Sequence, residues 1–462
     1  MILDPSVVRQ DAADLHRFIE QLVRMCADRR DDYPVFANPS VAFFSHVSKL
    51  GIETQKYLEQ FPQYYSKSAD ERAANSKRLK LVSLKSAWEA LHTYIRPALD
   101  ADSLHLPMSL ITAFQDEVQK VEEWQTYQFV LFHTTEVNYL QIPSDMARSV
   151  ANDIAESVGG ERFDPDLGLV GIPYSQSNAF FLNCLLPHEF AHFIYQENAN
   201  HDIEEQIEKS LDDVTQALGL DDEDMSLCLK MLKAWIEETY CDLLAICIIG
   251  PAFSLALMQL TAATLLVARP DGEPADNYFF KEDYPANVAR FHFHHEMLKK
   301  LGWWEELGDW KCTPVQVLAK CEEWSPFLSI EGALPNGIGQ EQLLTCYREI
   351  SEWMLDYCAA KFPNVPETVT RFKIQSPVIS QYLIRAIVPS TVVCQGAWVH
   401  PDPVVLMNAG YRFFLEELVG LIKTIDGEDP DSVEAHSRVA GRLELWILKA
   451  IEDSRLLARQ VR

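Results

Sequence analysis

The stretch that decides how this chain is read is Pro187-His188-Glu189-Phe190-Ala191-His192. Its pattern is H-E-x-x-H. On a helix, residues four apart lie on one face, about one turn from each other. The His188 and His192 imidazoles can therefore reach one tetrahedral zinc. Glu189 follows the first histidine and can face the water that such a zinc activates, where it would act as general base for amide hydrolysis. Phe180, Phe181, Leu182, Cys184, Leu185 and Leu186 precede the motif, and Phe193, Ile194 and Tyr195 follow it. A helix apolar nearly all round is a buried helix, and buried polar side chains need partners. Two histidines and a glutamate in such a helix suit a metal better than solvent. Pro187 leaves two geometries open. It kinks the helix if that helix already runs through Phe181 to Leu186, and it is a favourable first-turn residue if the helix begins near Pro187.

A catalytic zinc takes three protein ligands and keeps one position open. The extended metzincin pattern would need glycine at 195 and histidine at 198, where this chain has Tyr195 and Asn198. Downstream, Trp235-Ile236-Glu237-Glu238-Thr239-Tyr240-Cys241-Asp242-Leu243-Leu244-Ala245 sets three acids at the head of a strongly apolar run. Glu238 and Asp242 are four apart and share a helix face. The run from Leu243 to Ile249 leaves little room for a solvated face, which favours a nearby cation. Glu237 points about 100° away around the helix and is expected to play little part. Cys184 and Cys241 are close in sequence to these residues and could approach a metal, although packing is the plainer account of both.

H-E-x-x-H followed by E-x-x-x-D on a later helix resembles the gluzincin zinc metallopeptidases, the broad thermolysin- and neprilysin-like group. The likeness covers two helices and assigns no specific family. The gap from His192 to Glu238 is longer than in the most compact members. The resemblance implies that His188 and His192 are zinc ligands, that Glu189 is the general base and that Glu238 is the third ligand. It makes Asp242 the carboxylate that holds a ligand imidazole in the right tautomer. It also implies a small sheet before the H-E-x-x-H helix, with an edge strand that binds substrate. Gly168-Leu169-Val170-Gly171-Ile172-Pro173 is the candidate edge, to which an extended peptide could add through backbone hydrogen bonds.

Hydrolysis of a peptide passes through an oxyanion, which needs a donor opposite the base. Tyr284 to Leu301 reads as helical after Pro285 and carries Arg290, His292, His294 and His295. Arg290 and His294 share a face and are the candidate donors; a polar helix face or an ion pair is the plainer account. His400 and Tyr411 are alternatives.

Composition narrows the function classes. The chain has 462 residues with 48% hydrophobic content, ample for a large core and two or three domains or subdomains. A net charge of −28 opposes binding to nucleic acid and to anionic membrane surfaces. It would favour basic peptides, or serve solubility alone. The ten cysteines show no C-x-x-C pair and no regular framework, which suggests reduced, mostly buried thiols in a cytoplasmic protein. No basic segment followed by an apolar core is visible at the start. Leu243 to Val267 is long and apolar, but Gly250-Pro251 breaks it, so it reads as two buried helices rather than a membrane span.

The expected fold is mainly α with a small β-sheet: a zincin-like metallopeptidase core flanked by helical regions. Residues 1–125 read as a helical N-terminal region, with helices over Ser6–Ala27, Ser40–Gln60, Ser68–Leu99 and Ser109–Trp124. Residues 126–310 read as the catalytic core, with strands at Tyr127–His133, Val137–Ile142 and Leu167–Ile172. His201 to Lys230 reads as a solvated helical hairpin. Residues 311–462 read as mainly helical, closing the cleft, with a β-rich interruption at Ser390–Val399 and a helix start or turn at Asn408-Ala409-Gly410-Tyr411-Arg412. The function expected is hydrolysis of peptide or protein substrates by a zinc-activated water with Glu189 as base. A non-enzymatic regulator or scaffold that retains a zinc-peptidase fold, and a zinc hydrolase of a non-peptide amide, are the alternatives.

Overall fold

A computed structural model of the chain describes residues 5–32, 38–66, 71–100, 108–134, 140–142, 144–162, 167–173, 179–196, 200–218, 222–265, 276–331, 339–425 and 432–460. The fold is mainly helical with small sheets. It divides into two compact units, Met1–Met108 with Gln125–Ser177, and Ser109–Trp124 with Asn178–Arg462. These do not coincide with the three regions expected from sequence.

In the first unit, α1 (Pro5–Asp32), α2 (Asn38–Ser66) and α3 (Glu71–Asp100) occupy three of the expected helical segments; 68–70 lie outside the described residues. Along α1 the residues Val8, Ala12, Leu15, Ile19, Leu22 and Cys26 are all buried. Their alternating spacing of four and three makes one stripe, which packs on α2. The next helix in the chain, α4 (Met108–Val118), has all but its first residue in the second unit. The first unit continues with β1 (Gln128–Thr134), β2 (Leu140–Ile142), α5 (Ser144–Val158) and β3 (Leu167–Pro173).

The expectation of an open edge at Gly168–Pro173 is overturned. β3 is the central strand. It pairs in parallel with β1, from Gln128↔Leu167 to Thr134↔Pro173, and antiparallel with β2, from Leu140↔Gly171 to Ile142↔Leu169. One of its edges is therefore paired from Leu167 to Pro173 and the other at Leu169, Val170 and Gly171, so the strand is not an open edge for an added peptide. Leu169, Val170 and Ile172 have no exposed surface, as a central strand covered on both faces requires. The strand also belongs to the first unit, whereas the H-E-x-x-H helix belongs to the second. The first residues of the strand expected at Val137–Ile142 lie outside the described residues.

The second unit is built around one long helix. Its elements after α4 are α6 (Phe180–Asn183), α7 (Leu186–Ile194), α8 (Asn200–Leu218), α9 (Asp222–Ile249) and α10 (Pro251–Leu265). These are followed by β4 (Phe279–Phe280), α11 (Asn287–Lys300), α12 (Trp303–Leu307), α13 (Thr313–Ala319) and β5 (Ser329–Ile330). The chain ends with α14 (Gln340–Lys361), α15 (Val365–Ile384), β6 (Val392–Cys394), β7 (Ala397–Val399), α16 (Pro403–Ile425) and α17 (Val433–Gln460). Every residue from Glu238 to Gly250 is buried, because α7, α10, α11 and α14 pack around α9. The break expected at Gly250-Pro251 separates α9 from α10; 266 and 267 lie outside the described residues. Gly250 has φ +70, and a Cβ there would sit 2.8 Å from the Trp303 ring, so both conformation and space call for glycine.

Asn408 splints this junction: its side chain accepts from the Ala252 N–H at 2.8 Å and donates to the Ile249 carbonyl at 2.8 Å. Asn408–Arg412 is thus the interior of α16, not a helix start or turn. Its mid-helix glycine is explained by close packing, since a Cβ on Gly410 would lie 2.8 Å from Ile447 of α17. The β-rich interruption is the β6–β7 hairpin. Among the described residues no helix is long and apolar enough to cross a membrane. All ten cysteines are free and buried.

Candidate metal centre

The local course of the chain settles the role of Pro187. α6 ends at Asn183, a turn follows at Cys184-Leu185, and α7 begins at Leu186 with Pro187 in its first turn. The missing N–H of proline is harmless there. Glu444 of α17 lies by the start of α6: burial pushes its carboxyl up to about 7, and the Phe181 and Phe180 backbone N–H groups offset part of that rise. In α7, Leu186, Phe190, Ala191, Phe193 and Ile194 are buried, while His188, Glu189 and His192 keep partial exposure along one face.

That face meets α9. The Nε2 atoms of His188 and His192 are 3.1 Å apart, and the Glu238 carboxylate oxygens lie 3.5 Å from each. His188, His192 and Glu238 are a group that could hold a metal ion. A tetrahedral ion about 2.0–2.1 Å from each ligand atom needs those atoms about 3.3 Å apart; the two imidazole nitrogens are 3.1 Å apart, and each has a different Glu238 oxygen at 3.5 Å, Oε2 beside His188 and Oε1 beside His192. Cys184 and Cys241 stand outside this group; burial pushes both thiols up, and Cys184 donates to the Phe180 carbonyl at 3.6 Å. The ring of His188 stacks on Phe253 of α10 at 6.0 Å.

Each imidazole has a carboxylate at its other nitrogen. The Nδ1 of His188 is 2.9 Å from Asp242, although the oxygen lies off the line of the ring N–H, so charge rather than an aligned hydrogen bond holds the pair. The Nδ1 of His192 is hydrogen-bonded to Glu237 at 2.9 Å. Protons held at the two Nδ1 atoms leave the Nε2 lone pairs facing the same point. The expectation that Glu237 plays little part is thereby corrected. An imidazole carries nitrogens on two edges, and a residue about 100° round α9 from Glu238 reaches the outer one. The only sequence signal was its place directly before Glu238.

Arg290 and His294 of α11 converge on Asp242. Arg290 donates from Nε and Nη2 to the two Asp242 oxygens, each at 2.7 Å, and its Nη2 is 3.7 Å from Glu238. His294 Nε2 lies 3.0 Å from Asp242, again off the line of a hydrogen bond, and has no exposed surface. This placement differs from the expected one. Arg290 has its fork committed to Asp242, and His294 is sealed in the core, so neither is presented to a substrate as an oxyanion donor. The alternatives also lie elsewhere: His400 Nδ1 contacts Thr391 at 3.0 Å, and Tyr411 donates to Gln259 at 2.9 Å.

The charges follow from this packing. Burial would lower the His188 pKa, but Asp242 and Glu238 together raise it to about 10. Burial would raise Glu238 and Asp242, yet both carboxyls are lowered, Glu238 by His188 and Arg290 and Asp242 chiefly by Arg290 and His294. Glu189 makes no hydrogen bond or ion pair among the described residues. Tyr284, in the turn before α11, is 54% exposed, and its phenol is held protonated first by the charge of Glu238, then by burial, with a further contribution from Glu189. Sequence reasoning passed over it, because one tyrosine in a polar turn carries no motif.

The chain matches no protein-family model, no curated protein and no solved structure. Its likeness to the gluzincins therefore rests on the residues of this centre.

Proposed function

We propose that the protein is a single-zinc metallopeptidase of gluzincin kind, with His188, His192 and Glu238 as ligands. The observation that carries this reading is the meeting of two imidazole nitrogens and a carboxylate beside Glu189, which makes no hydrogen bond or ion pair among the described residues. A zinc ion bound there would polarise the scissile carbonyl and lower the pKa of a water. Glu189 is placed to act as the base, and would take a proton from that water and pass it to the leaving amine. Asp242 and Glu237 keep the Nδ1 protons of His188 and His192 in place. Arg290 and His294 keep Asp242 ionised and oriented from behind. Tyr284, exposed and protonated, donates to the developing oxyanion.

Zinc content and hydrolysis of a mixed peptide library test this reading together. One zinc per chain with turnover is expected. Glu189→Gln should keep zinc and fold while losing about a hundredfold or more in turnover. Bound zinc with near wild-type turnover in that variant would remove Glu189 as base. Zinc without peptide hydrolysis in the unaltered protein would leave the centre to another role.

A further inference from the structure

A cavity of about 440 Å³ lies in the second unit at the other end of α9 from the metal-binding group, within the size range of small-molecule sites. Ile248, on its wall, is ten residues from Glu238, roughly 15 Å along the helix. The apolar part of the wall is Trp303, Phe362, Val365 and Val404, and the charged part includes Glu117, Lys120, Lys361 and Arg371.

The feature that marks this cavity is an excess of backbone acceptors. At the end of α9 the Gly250 N–H goes to Ile246 and the Ile249 carbonyl accepts from Asn408. The Cys247 carbonyl would take its bond from the residue four further on, but that residue is Pro251, which has no N–H. The Ile248 carbonyl would take its bond from Ala252, whose N–H is given to Asn408 instead. Among the described residues, neither carbonyl has a hydrogen-bond donor, and both residues line the cavity. They sit at the negative end of a 28-residue helix. The last carbonyls of a helix have no partner within it, so a donor-bearing ligand finds two acceptors there.

The surrounding charges agree. Burial pushes the Glu117 carboxyl up to about 7 even though Lys120 lowers it, and nearby Asp402 and Asp116 add to the rise; a second cation in the cavity would relieve it. The cations of the cavity already face carboxylates. Lys120 donates to Glu117 at 2.6 Å, Lys361 pairs with Glu123, and Arg371 lies 3.5 Å from Asp402 and 3.6 Å from Glu367. Two donors of lining residues, Trp303 Nε1 and Arg371 Nε, also lack hydrogen-bond partners among the described residues.

We propose that this cavity binds a small primary ammonium ion carried on an apolar body, with the ammonium on the Cys247 and Ile248 carbonyls and the Glu117 carboxylate, and the body on the Trp303 and Phe362 rings. This site is independent of the metal centre and of the activity assigned to it.

The test uses the full chain with methyl-labelled isoleucine and valine, titrated with isopentylamine and, separately, with 4-methylpentanoate, which carries a similar body on an anion. Saturable shifts at the Ile248, Val365 and Val404 methyls are expected with the amine, and binding about tenfold weaker or less with the carboxylate. Glu117→Gln should weaken the amine about tenfold. Thr368→Trp, which places a ring at the rim, should abolish its binding. A thermal midpoint close to that of the unaltered protein shows that each variant is folded. Absence of saturable shifts with the amine in the unaltered protein, or equal binding of amine and carboxylate, overturns the proposal whatever the variants do.

Discussion

The Nδ1 of His192 is hydrogen-bonded to the Glu237 carboxylate at 2.9 Å, so the second histidine of the motif is braced by the residue directly before the proposed third ligand. His188 is braced in turn by Asp242, one turn of α9 after Glu238. Three acids within six residues thus serve three positions around one point.

Glu237→Ala should lower zinc affinity by about tenfold to a hundredfold, the usual cost of losing a partner behind a ligand imidazole. Glu237→Gln, which can still accept the Nδ1 proton, should lose less. Competition with a chromogenic chelator measures both. Unchanged affinity in Glu237→Ala would show that the contact does not orient His192.

Glu238→Ala and Asp242→Ala should fail differently. Glu238→Ala should release zinc while the chain stays folded. Asp242→Ala leaves the buried Arg290 guanidinium without its bidentate partner, and an uncompensated buried charge costs about 3–5 kcal/mol. Denaturant midpoints of the metal-free proteins separate the two. Equal midpoints would mean that the Asp242–Arg290 pair is not part of the structural core.

Tyr284→Phe removes one hydroxyl from an exposed turn. On the metallopeptidase reading, kcat should fall about a hundredfold with little change in KM, since the donor acts on charge that develops in the transition state. Zinc content should not change. Equal kcat in the variant would assign the oxyanion to another group.

Glu444 and Glu117 should each subtract from stability as pH rises from about 4.5 to about 7. Burial raises the Glu444 carboxyl from its ordinary 4.5 to about 7 in the folded chain, and Glu117 is raised over the same window. Between those values the folded state holds more protons than the unfolded one, so raising the pH favours unfolding, and the effect is complete above about 7. Glu444→Gln should remove its share of this loss, so that denaturant midpoints fall less, or rise more, across the window than those of the unaltered protein. An unaltered slope would mean that Glu444 is ionised throughout.

Periodicity made most helices legible in the sequence, because a buried stripe such as Val8 to Cys26 repeats with the turn of the helix itself. The break at Gly250-Pro251 was legible for a similar reason: backbone chemistry there is a property of those two residues. Asn408–Arg412 was misread, because glycine at 410 looks like a helix breaker until Ile447 is seen against it.

The sequence by itself determined that His188 and His192 share a helix face, and that Glu238 and Asp242 share another. Both follow from the pitch of one helix. Only the tertiary structure decided that these two faces meet with their ligand atoms 3.1–3.5 Å apart. It alone set β3 in the middle of its sheet, and it alone turned Arg290 and His294 toward Asp242. Helical spacing is fixed by covalent geometry within a few residues. Which edge of a strand is free, and which side of a guanidinium is occupied, depends on segments far away in the chain, and no local pattern records them.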